Sequence, residues 1–217
     1  MNESAADRPL IRRLFVLALS LGATVACSPE EPQRPAVMAT AAPACLPGER
    51  GYLRVSLRGA IESELDWRGA SIQCEGGARP DGRGLRVSFL GPADARGRRL
   101  RLVFGIAAKP GTAKSAAAPT NVTVIVEGED RVYATRGDER CAIDAMVQEP
   151  LPTDTPADRT SPAGHIYRYR VAARGYCIDP ATLLDGSGRL YINRFDFAGV
   201  ARFNEDELVA SARKRPD

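Results

Sequence analysis

The sequence predicts an all-β protein: an antiparallel β-sandwich or jelly-roll-like domain behind an N-terminal signal helix and a disordered tether. Three observations carry that reading. Apolar and polar residues alternate at period two through most of the chain after Cys45, the pattern of a strand with one buried face. Turn-forming clusters separate the runs, among them "PDGRG" from Pro80, "GPADARG" from Gly91, "EGED" from Glu127 and "DGSG" from Asp185. Helical periodicity is scarce, and only "EDELVASARKR" near the end reads as a helix. Short antiparallel strands with one apolar face each are satisfied by packing layer on layer.

The first element is not structural. Arg8, Arg12 and Arg13 precede an apolar run from Leu14 to Ala26, the basic and hydrophobic regions of a secretory signal. The run is shorter than the roughly 20 residues of a membrane span. Val25 and Ala26 then lead into Cys27. Residues 8–28 resemble a bacterial lipoprotein signal, although Thr24 stands where that family usually has leucine. The resemblance implies that the Cys27 thiol carries a diacylglycerol after cleavage behind Ala26. Ser28 follows where inner-membrane lipoproteins often carry aspartate, which implies the outer membrane, on its periplasmic face. From Cys27 to Ala44 the chain holds Pro29, Pro32, Pro35 and Pro43 and little apolar bulk, too little to offset the entropy of ordering it. It reads as a tether, and residues 45–217 as a single domain.

The strands follow in order. Leu53, Val55 and Leu57 alternate with polar neighbours and begin a hairpin with Ile61–Trp67. A three-residue loop, Arg58 to Ala60, sets Leu57 opposite Ile61 and keeps like faces together. Leu85, Val87 and Phe89 form the next run, then Leu100, Leu102, Phe104 and Ile106, then Val122, Val124 and Val126. "RVYATR", "CAIDAMV", "HIYRYRV" and "RLYINRFDFAGVARF" complete the set. In the last, Leu190 and Ile192 have one parity and Phe195 and Phe197 the other, so a bulge is predicted near Asn193 and Arg194. Two long segments, 107–120 and 149–164, read as mobile loops from their alanine, proline and hydroxyl content.

Five cysteines are an odd number. With Cys27 committed to lipid, Cys45, Cys74, Cys141 and Cys177 remain, an even set for an oxidising compartment. Three pairings are open; the one favoured, Cys45–Cys74 with Cys141–Cys177, keeps each partner in its own half of the domain.

Composition restricts function more than it assigns it. The formal net charge of +3 falls to +2 once the first 26 residues are removed, with their three arginines and Glu3 and Asp7. That is no footprint of a nucleic-acid binder. His165 is the only histidine, no Cys-x-x-Cys occurs, and there is no nucleophile elbow or phosphate loop, so no metal site, cofactor or catalytic residue is expected. Arg86, Arg99 and Arg101 form the candidate binding face, on the premise that strands 85–90 and 98–106 pair; guanidinium forks suit carboxylate and phosphate. Glu62, Glu64 and Asp66 alternate on one strand, as a calcium or acid–base site would, or as a solvated face neutralised by Arg54 and Arg68. Trp67 and the tyrosines suit sugar stacking as well as core packing. The leading expectation is a lipid-anchored, non-catalytic binding or assembly module whose partner is an envelope protein or an anionic glycan. The alternatives are a carboxylate-dependent glycan hydrolase and a purely structural lipoprotein.

Overall fold

The computed structural model describes residues 45–46, 48, 50–115, 118–152 and 165–213. The signal segment, Cys27, the tether and most of the 149–164 loop lie outside the described residues. Among the described residues, twelve strands form one antiparallel sheet: β1 Tyr52–Gly59, β2 Ser63–Arg68, β3 Gln73–Ala78, β4 Leu85–Ala93, β5 Arg99–Ile106, β6 Lys114–Ser115, β7 Ala118–Glu127, β8 Arg131–Ala134, β9 Cys141–Leu151, β10 Ile166–Cys177, β11 Ala181–Leu183 and β12 Arg189–Asn204. A helix, α1, covers Glu205–Arg213.

Hydrogen-bonded neighbours run β2-β1-β12-β10-β9-β7-β5-β4-β3, with β8 and β11 bridging β7 to β12 and β6 added to β9. The sheet folds over so that β4 and β5 face β12. Alternation supplies the contact: Phe89 and Phe104 point inward from one layer, Phe195 and Phe197 from the other, all fully buried. Their ring centroids lie 4.6–5.2 Å apart across the layers, in tilted arrangements that aromatic quadrupoles favour. On the far side β3 returns against β12. A Cβ on Gly76 would lie 2.6 Å from the Val200 carbonyl oxygen, so the Gly76-Gly77 pair is what lets two backbones approach there.

Bulges fit the long strands to this curvature. Ser56 pairs with Arg194 and Leu57 with Ile192, leaving Asn193 as the extra residue, which turns Leu190, Ile192, Phe195 and Phe197 all inward. In β9 the extra residue is Asp144, between Ile143 and Ala145 in their pairing with β10. α1 begins on a reciprocal cap: the Glu207 amide donates to Asn204 Oδ1 and the Asn204 amide to the Glu207 carboxylate, each at 2.8 Å.

Two expectations are corrected. In the first hairpin Leu57 lies opposite Ser63, not Ile61. Parity is preserved, but the loop is two residues longer. The cause is non-local: Arg58 and Gly59 are still paired to Tyr191 and Leu190 of β12, and the Ala60 amide donates to the Arg189 carbonyl, so β1 cannot turn before it leaves β12. The described residues of the 107–120 segment, 107–115 and 118–120, are also tied to the sheet. The buried Gln148 side chain accepts from the Gly111 amide and donates to the Lys109 carbonyl, each at 2.9 Å, while β6 pairs with β9 and β7 begins at Ala118.

Disulfides join Cys45 to Cys74 and Cys141 to Cys177. Two such bonds are the mark of an oxidising, extracytoplasmic compartment. Among the described residues no helix is long and apolar enough to cross a membrane.

Candidate functional site

The site is built around a bulge. β4 pairs Leu90 with Arg101 but Ala93 with Arg99, so one extra residue sits at Gly91-Pro92. Proline lacks the N–H a ladder needs and is tolerated at such a bulge. Gly91 is required by its neighbour: a Cβ there would lie 2.3 Å from the Trp67 ring. The indole, the only one in the chain, therefore lies against bare backbone. Trp67 reaches this place because β2 alternates Leu65 and Trp67 toward β4 and β5 while Glu64 and Asp66 face away. Arg99 Nε fastens the bulge from outside through the Gly91 carbonyl oxygen at 2.8 Å.

Between β2 and the β4–β5 turn the arrangement leaves a cleft of about 300 Å³, at the lower end of small-ligand sites. Its floor is apolar: Ile61, Leu65, Trp67, Leu100 and Val126. One wall is a chain of paired charges. The Asp94 carboxylate accepts the amides of Arg96 and Arg98 at 2.8 and 3.0 Å and Arg98 Nε at 2.8 Å, shaping the turn that Gly97 closes. Arg98 donates onward to Glu129 at 2.9 Å, Glu129 accepts from Arg131 Nε at 2.8 Å, and Arg131 reaches the Tyr133 hydroxyl. Glu62 stands exposed on the opposite lip.

These contacts shift ionisation. The bond from Arg98 holds both Asp94 and Glu129 below the usual carboxylate range, against a smaller opposing effect of desolvation. Arg98 is raised, first by Asp94 and then by Glu129. Glu64 is lowered by Ser56 and Arg58, and Asp66 by Arg68. A carboxylate depressed in the folded state stabilises the fold above its unfolded pKa, and that stabilisation is lost as pH falls through the folded value. The melting temperature is therefore expected to hold from neutrality to about pH 5 and to fall below about pH 4. A pH series of thermal melts checks this; a rise in melting temperature on acidification contradicts it.

The residues singled out in the sequence are distributed as follows. Arg86, Arg99 and Arg101 do share the outward face of β4 and β5, opposite inward Val87, Phe89, Leu102 and Phe104. They do not form a cluster. Arg86 pairs across to Gly105, four rungs from the Leu90–Arg101 pair. Arg101 is bound to Glu127 at 2.8 Å and lies 3.5 Å from Glu75, and Arg99 holds the bulge. Glu64 accepts from Ser56 at 2.9 Å and pairs with Arg58; Asp66 accepts from Arg68 at 2.8 and 2.9 Å and lies 3.6 Å from Arg54. Arg58 was the neutralising partner sequence reasoning missed. No group of three metal-ligating side chains occurs among the described residues. His165 stacks edge-on against Tyr167, with ring centroids 4.7 Å apart.

A second, larger cleft of about 430 Å³ lies beside Arg79, Pro110 and Glu207. It has no aromatic wall, and its buried arginine is already occupied: Arg79 binds Asp81 at 2.6 Å and Asp138 at 3.0 Å. It ties the β3–β4 turn to residue 138 and offers little to a ligand. The Trp67 cleft was missed because "GPADARG" reads as a plain turn. The available signal was the Gly91-Pro92 pair at the end of the β4 run, since proline inside a strand marks a bulge or an edge. No family model, curated protein or solved structure matches the chain.

Proposed function

We propose that the chain is a lipid-anchored protein of the periplasmic face of the outer membrane, and that its domain is a non-catalytic binding module holding a neutral, hydroxyl-rich ligand, a sugar, in the Trp67 cleft. The lipobox-like Cys27 and the oxidised cysteines support the location. The observation that carries the function is the cleft's pairing of an indole ring with the lining charges Asp94, Arg98 and Arg131, the two arginines being joined behind the lining by Glu129. A sugar ring presents an apolar face of C–H groups and an edge of hydroxyls. The indole suits the first. Carboxylates and guanidiniums that already neutralise one another, yet keep spare lone pairs and N–H groups, suit the second without demanding a charged ligand. A binding role also accounts for the acidic strand: Glu64 and Asp66 are each held by arginine and face away from the cleft.

The single tryptophan makes the test direct. Maltohexaose, cellohexaose and chitohexaose are titrated against the purified chain while its fluorescence is followed. At least one is expected to give a saturable change. By calorimetry, Trp67→Ala is expected to weaken that sugar about thirtyfold, the loss of an aromatic anchor worth ~2 kcal/mol. No saturable response to any of the three removes the cleft from consideration. Mass spectrometry of the envelope-purified protein tests the anchor: an unmodified Cys27 thiol overturns it.

A further inference from the structure

The alternation that sends Val171, Ala173, Phe195, Phe197 and Phe203 into the core gives the other side of the same strands an unbalanced charge. On β10 the outward positions include Arg168, Arg170 and Arg174; on β12, Arg194 and Arg202; on β1, Arg54. Arg168 lies directly opposite Arg202, and like charges facing across an antiparallel pair destabilise a sheet. Asp196, between Arg54 and Arg174, and Glu149, opposite Arg170, are the carboxylates set among them. Among the described residues, the side chains of Arg174, Arg194 and Arg202 are exposed and meet no hydrogen-bond or ion-pair partner. Arg168 Nε is a buried donor with no acceptor, a feature that calls for an explanation wherever it occurs.

The stripe has a shape. Six residues of strand separate Arg168 from Arg174, about 20 Å, while β1 and β10 lie two strand spacings apart, about 10 Å. Its flanks are acidic: Glu64 and Asp66 on β2 on one side, Asp144 and Glu149 on β9 on the other. A broad anionic plane such as a bilayer would meet those carboxylates. A single chain lying along β10 and β12 would avoid Glu64, Asp66 and Asp144, and would pass only Asp196, already held by Tyr52 and Arg54, and Glu149, already held by Arg170. Guanidinium forks also favour carboxylate and phosphate oxygens over diffuse charge. We propose that this face binds a linear polyanion, an acidic polysaccharide chain, running along β10 and β12. The site is separate from the Trp67 cleft and does not depend on it.

The test uses the full chain carrying Cys27→Ser, so that no acyl group drives adsorption. Binding to polygalacturonate and to polyphosphate is measured by calorimetry at several salt concentrations; the two polymers separate a carboxylate from a phosphate requirement. Arg174→Glu with Arg202→Glu is expected to weaken binding to the preferred polymer at least about tenfold. Arg86→Glu with Arg136→Glu makes the same change in net charge on other surfaces and is expected to leave binding unchanged. Trp67→Ala is also expected to bind the polymer normally, which separates failure here from failure of the cleft. Near-ultraviolet circular dichroism establishes that each variant is folded. Equal loss in both double variants would reduce the effect to net charge and overturn the proposal. So would absence of binding to either polymer, or binding to phosphatidylglycerol vesicles in its place.

Discussion

Replacing Cys141 and Cys177 together by serine is expected to lower the free energy of unfolding by about 4 kcal/mol, and the Cys45, Cys74 pair by nearly as much. The closed segments are similar in length, with sequence separations of 36 and 29, and the freedom a crosslink removes from the unfolded chain grows only as the logarithm of that length. The two bonds do different structural jobs. Cys141 and Cys177 close the last rung of the β9–β10 ladder, where β10 ends and the chain departs toward β11. Cys45 and Cys74 pin the start of the domain to β3, beside the place where β3 comes against β12. Domains of this kind have total stabilities of about 5–15 kcal/mol. Loss of both bonds therefore removes a large share of the total, and the reduced chain is expected to be substantially unfolded at 37 °C. Urea denaturation of the two pairwise serine variants and of the fully reduced protein measures this directly. Midpoints that coincide with the oxidised wild type would show that the crosslinks do not hold this fold together.

Much of that fold is legible in the chain because its controlling signals are local. Alternation marks β1, β4, β5 and β7 and assigns their inward residues. The clash of parity between Ile192 and Phe195 locates the bulge near Asn193 and Arg194, and the register with β1 makes Asn193 the extra residue. The helical stretch at the end is also legible, and Asn204 ahead of α1 with Glu207 in its first turn caps it. What escapes is what two distant strands decide jointly. The length of the first loop depends on β12, which lies about 130 residues further along and keeps Arg58 and Gly59 in the sheet. The 107–120 segment reads as loose because the residue that orders it, Gln148, belongs to another strand. The candidate sites obey the same rule. Arg86, Arg99 and Arg101 lie on adjacent strands and are easily grouped, yet two of the three are occupied by partners. The denser arginine stripe joins β1, β10 and β12, and no inspection of neighbouring runs places Arg54 beside Arg174. Its assembly needs the register of three strands drawn from both ends of the domain.

The core that this register creates is concentrated enough to be tested at one position. Phe197 is fully buried and touches the rings of Phe104, Phe89 and Phe195, at centroid separations of 4.6, 5.2 and 6.3 Å. It is the point at which the folded-over layers meet, and the backbone beside it is already tight: a Cβ on Gly199 would lie 2.8 Å from both Val87 and Phe89. Two rigid layers cannot collapse freely into a vacated ring. Phe197→Ala is thus expected to cost about 3–5 kcal/mol, transfer and cavity together, and to lower the melting temperature by roughly 6–20 °C for a domain of this size. Phe197→Leu, which refills most of the volume, is expected to cost far less. The adjacent outward residue, Asp196, receives the Tyr52 hydroxyl at 2.8 Å and sits between Arg54 and Arg174. Below its melting temperature the alanine variant should therefore still present the arginine stripe, since the hydrogen-bonded ladder of β12 remains. An alanine variant as stable as the leucine one would mean that the layers do slide together, and that the aromatic cluster is not what sets their spacing.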